Sequence, residues 1–227
     1  DIDRTFTDIP LSITLDNTYA AENHMEIIGD VSAQKFTVTI NGPSYVVSAL
    51  KASDFYVYAS AAAINSPGEY QLEVSGARNT AVTDYNIVSI NPPTVSLYFD
   101  YVDTKEFTIT AKADGAAAID GLVAETPVVS GTENDTITIK GPRTVMNKID
   151  SVVAYAAVNK TLSESATYDA EIQLFDEDGN EIDKTNLTLS ETAVKVTVPI
   201  SKTKTVPVVA DFTKLPSGIS KSSISYK

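Results

Sequence analysis

The feature that most constrains this chain is that it repeats itself. Residues 36–50 read FTVTINGPSYVVSAL and residues 136–149 read TITIKGPRTVMNKI. Gly42 and Gly141 lie 99 residues apart, and at the same offset Val38 matches Ile137, Ile40 matches Ile139, Val46 matches Val145 and Leu50 matches Ile149. Val95 with Val194 and Lys105 with Lys204 keep that register, and Tyr70 with Tyr168 slips by one residue. Three segments look like starts of a unit: Ile9-Pro10-Leu11-Ser12-Ile13, Phe107-Thr108-Ile109-Thr110 and Val206-Pro207-Val208-Val209, the last followed by Gly218-Ile219 as an echo of Gly121-Leu122. Solenoid repeats run ~20–50 residues. A period twice that length is an array of domains, and a chain of 227 residues holds about two of them. The expected divisions are 1–101, 102–200, and 201–227 as the beginning of a third, truncated unit.

Within a unit the periodicity is that of strands. Phe36, Val38 and Ile40 share one face and Thr37 and Thr39 the other. Gly42 or Gly141 ends the strand. Pro43 or Pro142, with φ preset and no N–H, suits the first position of a helix. Val46, Val47 and Leu50, repeated as Val145, Met146 and Ile149, then give a narrow stripe for one or two helical turns. Tyr168, Ala170, Ile172 and Leu174 alternate into Asp176-Glu177-Asp178-Gly179-Asn180-Glu181. Asp-Gly between alternating runs predicts a hairpin returning through Ile182 to a strand near Leu187 and Leu189. Ala193 to Val198 is the closing strand, equivalent to Val95 to Phe99. The expected fold is all-β with one short helix per repeat, its mixed or antiparallel twisted sheets closing toward barrels.

The chemistry these residues can support is narrow. Without cysteine there are no disulfides, thiolates or Cys-based zinc sites, and His24 is the single histidine. A net charge of −13 repels phosphate backbones and anionic lipid headgroups, so nucleic acid is a poor partner. Ser32 to Lys35 and Ser48 to Lys51 have Ser-x-x-Lys spacing but lack the companion motifs of penicillin-binding enzymes. No nucleophile elbow, phosphate loop or dinucleotide fingerprint occurs. The acidic turn offers one weak calcium candidate, Asp176, Asp178 and Asp183, although Gly179 comes one residue early for an EF-hand loop and no distal Glu follows. The reading is therefore no catalytic residue, no cofactor, no small-molecule substrate and no enzyme.

The order strand, Gly-Pro, Val-x-x-(Leu/Ile), Tyr-x-x-(x)-(Val/Ile) and a Val-x-Val-x-Val strand resembles the YbbR-domain family over the whole chain. Lys202 to Val208 looks like the junction between successive units, and Phe6 to Leu11 like the entry to a first one. The resemblance implies tandem YbbR-like domains on the extracytoplasmic face of a bacterial cell membrane. They would be held there by an N-terminal transmembrane helix that this sequence does not include. It further implies a membrane protein as partner, a diadenylate cyclase whose cyclic di-AMP output the array modulates by contact. The rival expectation is an immunoglobulin-like adhesin or spacer stalk that binds wall polymers. The junction near residues 100–105 contains no Gly-rich linker, which favours a fixed orientation of the units.

Overall fold

The computed structural model describes residues 1–132 and 135–207. The first elements are β1 (Ile2–Thr14), α1 (Tyr19–Glu22), β2 (Met25–Ile28), β3 (Lys35–Gly42), α2 (Ser44–Val47), β4 (Phe55–Ser60), β5 (Gly68–Glu73), β6 (Ser75–Arg78) and β7 (Asn86–Asn91). They lead into the long β8 (Thr94–Ala118). After it come β9 (Leu122–Ala124), β10 (Val128–Ser130), β11 (Thr136–Pro142), α3 (Arg143–Met146), β12 (Ser151–Leu162), β13 (Ala166–Phe175), β14 (Thr188–Leu189), β15 (Val194–Val198) and β16 (Ile200–Lys202).

Alternation sets the strands. In β3 the burial pattern puts Phe36, Val38 and Ile40 inside and leaves Thr37 and Thr39 facing out. Burying such side chains is the main favourable term, about 1.5–3 kcal/mol each. Two separate cores result. One gathers Phe6, Phe36, Val38, Ile40, Val57 and Phe99, and the other Ile109, Ile137, Ile139, Val152, Leu174 and Val196. We refer to their surroundings as the first and second unit.

Both units follow one strand plan. In the second, the order is β10-β15-β13-β12-β8-β11-β14. In the first, β2 and β5 flank the opening residues of β8, and the remaining strands run β6-β4-β1-β3-β7. There β5 and β6 together take the place of β13, which pairs with β15 through Ala166–Ala170 and with β12 from Glu171 onward. Each sheet is mixed, because β1 with β4 and β8 with β12 are parallel while the other pairs are antiparallel. The first sheet is curled into a half-barrel: Ile87 and Ile90 of β7, at one end of the order, reach within 3.2 Å of where a Cβ on Gly76 of β6 would stand, at the other end.

Gly-Pro has a clear cause. A Cβ on Gly42 would stand 2.9 Å from the Asp84 carbonyl oxygen and 2.9 Å from Tyr85 Cβ. On Gly141 it would meet Leu187 Cδ2 and sit 3.1 Å from the Asn186 carbonyl oxygen. The chain entering the last edge strand crosses directly over each glycine. The prolines sit one position earlier than expected. Pro43 (ψ 134°) and Pro142 (ψ 132°) are extended N-cap residues, and each helix is a single turn that follows. The proline φ suits both roles, but the chain is still leaving the strand at that point.

The predicted hairpin after β13 also needs correction. The turn forms, with Asp176 N–H donating to Asn180 and Gly179 N–H to Asp176. Ladder pairing, however, stops at a single Phe175–Glu181 bridge. The chain then crosses Gly141, and β14 pairs with β11 instead of β13. Curling has brought the open edge of β11 within reach, and Leu187 and Leu189 pack on the core there. Of the expected third unit, Ser201 and Lys202 continue β16 and pair with β9; residues 208–227 lie outside the described residues.

Candidate functional site

The densest polar cluster lies where the units meet. β8 passes from one to the other without a break: Tyr101 pairs with Met25 of the first unit and the next residue, Val102, with Pro142 of the second. Asp100, fully buried, accepts hydrogen bonds from Thr144 N–H (3.0 Å), the Thr144 hydroxyl (2.5 Å) and Tyr101 N–H (2.7 Å). A buried carboxylate needs such donors, since an unpartnered charge in the interior is very costly. The Tyr98 hydroxyl lies 2.9 Å from that of Thr144. Beside it, Arg143 makes a two-pronged ion pair with Asp103, both contacts at 3.0 Å, and stacks its guanidinium 4.5 Å from the centre of the Tyr101 ring. The hydrogen bond from Arg143 holds the Asp103 carboxyl below its ordinary value and raises Arg143 in turn. The Asp100–Thr144 hydrogen bonds and the Arg143–Tyr101 stack link the first unit to the second, and the Asp103 pair braces Arg143 within the second.

Sequence reasoning missed these residues, although a signal was present. They are places where the repeat fails: at the 99-residue offset Asp100 falls on Pro199, and Arg143 and Thr144 fall on Ser44 and Tyr45.

The residues singled out from sequence are not brought together. The Asp176 carboxylate accepts from the N–H groups of Asp178 and Asn180 and from the Asn180 side chain. Asp183 accepts from Thr185 N–H and hydroxyl. These local hydrogen bonds hold both carboxyls below their ordinary value. Asp176, Asp178 and Asp183 therefore build two separate turns, and among the described residues no three acidic or histidine side chains converge as metal ligands. Ser32 gives its hydroxyl to Asp30. His24 is exposed in a tight turn at φ 57°. Among the described residues no helix is long and apolar enough to cross a membrane.

Residues 118–198 match the protein family described as YbbR-like protein. The second unit is a YbbR-like domain. Similar solved structures include a YbbR-like protein from Streptococcus pneumoniae TIGR4, at 15% identity and TM-score 0.42, covering 89% of this chain and 96% of that one. Another is the YbbR-like domain of a Listeria monocytogenes protein, at 24% identity and TM-score 0.33, covering 44% of this chain and 93% of that one. A Streptococcus thermophilus protein solved in solution shares 15% identity with TM-score 0.32, covering 48% of this chain and 95% of that one. No curated protein matches.

The first unit can be compared with this YbbR-like domain through its own strand registers. Val57 faces Gly76 as Ala154 faces Ile172, and Ile40 faces Ile87 as Ile139 faces Leu189. In each unit a groove lies along a seam where the curled sheet brings two strands together without pairing, β6 and β7 in the first unit, β14 and the second half of β13 in the second. In the YbbR-like domain it is about 410 Å³, bordered by Ile172, Lys184, Leu187 and Leu189. In the first unit it is about 510 Å³, bordered by Gly76, Ala77, Arg78, Asn86 and Ile87. A cation bridges each seam. Lys184 donates to the Ile172 carbonyl (2.6 Å), and Arg78 donates to the Tyr85 carbonyl (2.8 Å) while lying 4.9 Å from the centre of the Tyr85 ring.

Proposed function

We propose that this chain is a non-catalytic regulatory array that works by protein contact on the extracytoplasmic face of a bacterial membrane, and that its partner is a membrane-bound diadenylate cyclase. The observation that carries the reading is the YbbR-like domain at residues 118–198, joined to a second copy of the same strand plan. In this reading an N-terminal helix outside this sequence supplies the attachment to the membrane, and the Asp100–Thr144 hydrogen bonds and the Arg143–Tyr101 stack keep the two units at one angle so that both present a defined surface. The acidic surface suits a partner with basic outer segments.

The test is the cellular level of cyclic di-AMP when the membrane-attached protein is expressed with the cyclase of its own organism, against the cyclase alone at matched expression. A reproducible change in either direction supports the reading. An unchanged level with both proteins inserted sinks it. The second reading, a spacer stalk, draws on the unbroken β8, since a fixed junction is what a spacer needs; it predicts binding of the chain to isolated wall polymer and no effect on the nucleotide.

A further inference from the structure

The two seams are closed to different degrees, and one loop accounts for the difference. Between Leu174 and Leu187 the second unit has residues 175–186; between the equivalent Arg78 and Tyr85 the first unit has only residues 79–84. The longer loop contains the acidic turn and a return leg that lies along the outer edge of β13. Ile182 N–H donates to the Leu174 carbonyl (2.8 Å), its side chain packs on the second core, and two residues later Lys184 caps the Ile172 carbonyl. The second unit thus carries its own partial extra strand.

The first unit has no such leg. Among the described residues β6 pairs with β4 alone and stands at the end of its sheet. By register, Gly76 and Arg78 occupy the places of Ile172 and Leu174, so their main-chain groups face the seam. Among the described residues, the loop 79–84 gives its backbone N–H groups elsewhere: Asn79 to Asp54 and Val82 to Thr80. An open strand edge with unmatched N–H and C=O groups is a template for another strand.

We infer that the seam of the first unit, along the outer edge of β6, is a docking site for an extended segment of a partner protein, and that the segment carries an apolar residue followed two positions later by a lysine or arginine. The occupant is defined by what the second unit supplies to itself. The partner's apolar residue gives its N–H to the Arg78 carbonyl, as Ile182 does to Leu174. Its cation reaches the Gly76 carbonyl, as Lys184 reaches Ile172. The net charge of −13 adds attraction for a basic segment. The inference rests on the reading of the chain as a partner-contacting array, but not on which protein the partner is.

The probe is a free peptide built on the chain's own return leg, residues 180–186 with Glu181→Gln and Asp183→Asn so that Lys184 leaves it net positive, added to the intact isotopically labelled chain. Backbone amide shifts and hydrogen exchange are followed residue by residue. The expected result is perturbation confined to Gly76, Ala77, Arg78, Asn86 and Ile87, with none at Ile172 or Leu174, where the site is already filled. Peptide at five times its dissociation constant leaves about one sixth of the chain free, so the Gly76 and Arg78 amide shifts reach about five sixths of their limiting change. Peptides with Lys184→Glu or Ile182→Asp lose the effect. A chimera with residues 79–84 replaced by residues 175–186 fills its own seam and no longer responds. No perturbation at β6 with peptide at several times a dissociation constant of about 1 mM, or equal perturbation from the altered peptides, overturns the proposal. Because this readout is independent of cyclic di-AMP, a silent cyclase with a responsive seam refutes the partner and not the site.

Discussion

At the scale of single residues, the two Gly-Pro turns give an internally controlled test. Gly42 faces backbone and a fixed Cβ, whereas the nearest obstacle to a Cβ on Gly141 is the end of a leucine side chain. Gly42→Ala is expected to destabilise by about 1–3 kcal/mol, as overpacking does, and Gly141→Ala by less, because Leu187 can change rotamer. Urea denaturation of both variants gives the order. Tyr85 presents the opposite case. Among the described residues its hydroxyl is buried with no partner at hydrogen-bond geometry; burial pushes its pKa up, and the neighbouring Arg78 partly offsets that rise. Removing an unsatisfied polar atom recovers part of its desolvation cost, so Tyr85→Phe is expected to raise stability by about 1 kcal/mol, seen as a higher Tm. A lower Tm means that the hydroxyl has a partner after all.

At the scale of elements, the junction between β8 and α3 carries the predictions. Asp100→Ala leaves Thr144 N–H without its acceptor and is expected to cost about 1.5–3 kcal/mol, the range for hydrogen bonds to a charged group. The loss should show as faster amide exchange at Tyr101 and Thr144, with the Val38 and Val196 interiors unchanged. The Asp103–Arg143 pair adds a pH dependence. The Asp103 carboxyl is held below its ordinary 3.8 by the hydrogen bond from Arg143. A lowered carboxyl stabilises the fold above its unfolded value, and that contribution disappears as pH falls through the folded value. The Asp103–Arg143 pair is therefore at full strength above pH 3.8 and weakens below it. Asp30, Asp176 and Asp183 are lowered in the same direction. Asp103→Asn should thus shrink the acid-induced loss of stability without abolishing it, which urea titrations across that range can measure.

At the scale of the whole molecule, much of the plan was legible because it was written twice. The alternation of Phe36, Val38 and Ile40 and the recurrence of Gly-Pro are local patterns that backbone sterics and burial convert directly into strands and a tight crossing. The acidic turn after Leu174 was legible too. The partner of the strand that follows it was not: β14 pairs with β11 because the sheet curls, and curling is a property of the assembled strands. The junction escaped for a related reason. Asp100 and Thr144 look like ordinary polar residues until β8 and α3 are placed against each other. Solution scattering of the intact chain should fit one fixed arrangement of the units, and the double variant with Asp100→Ala and Arg143→Ala should broaden the distance distribution.

The unbroken β8 also decides how the molecule answers a mechanical load. Tyr101 and Val102 each have a ladder partner in their own unit, so no slack residue separates the two. Tension applied to the ends reaches the boundary along a strand clamped on both sides, with the Asp100–Thr144 hydrogen bonds and the Arg143–Tyr101 stack pulled in shear. The pair is expected to extend little before a unit itself ruptures. A single-molecule pulling trace should contain no early compliant phase from a hinge, and Asp100→Ala should introduce one.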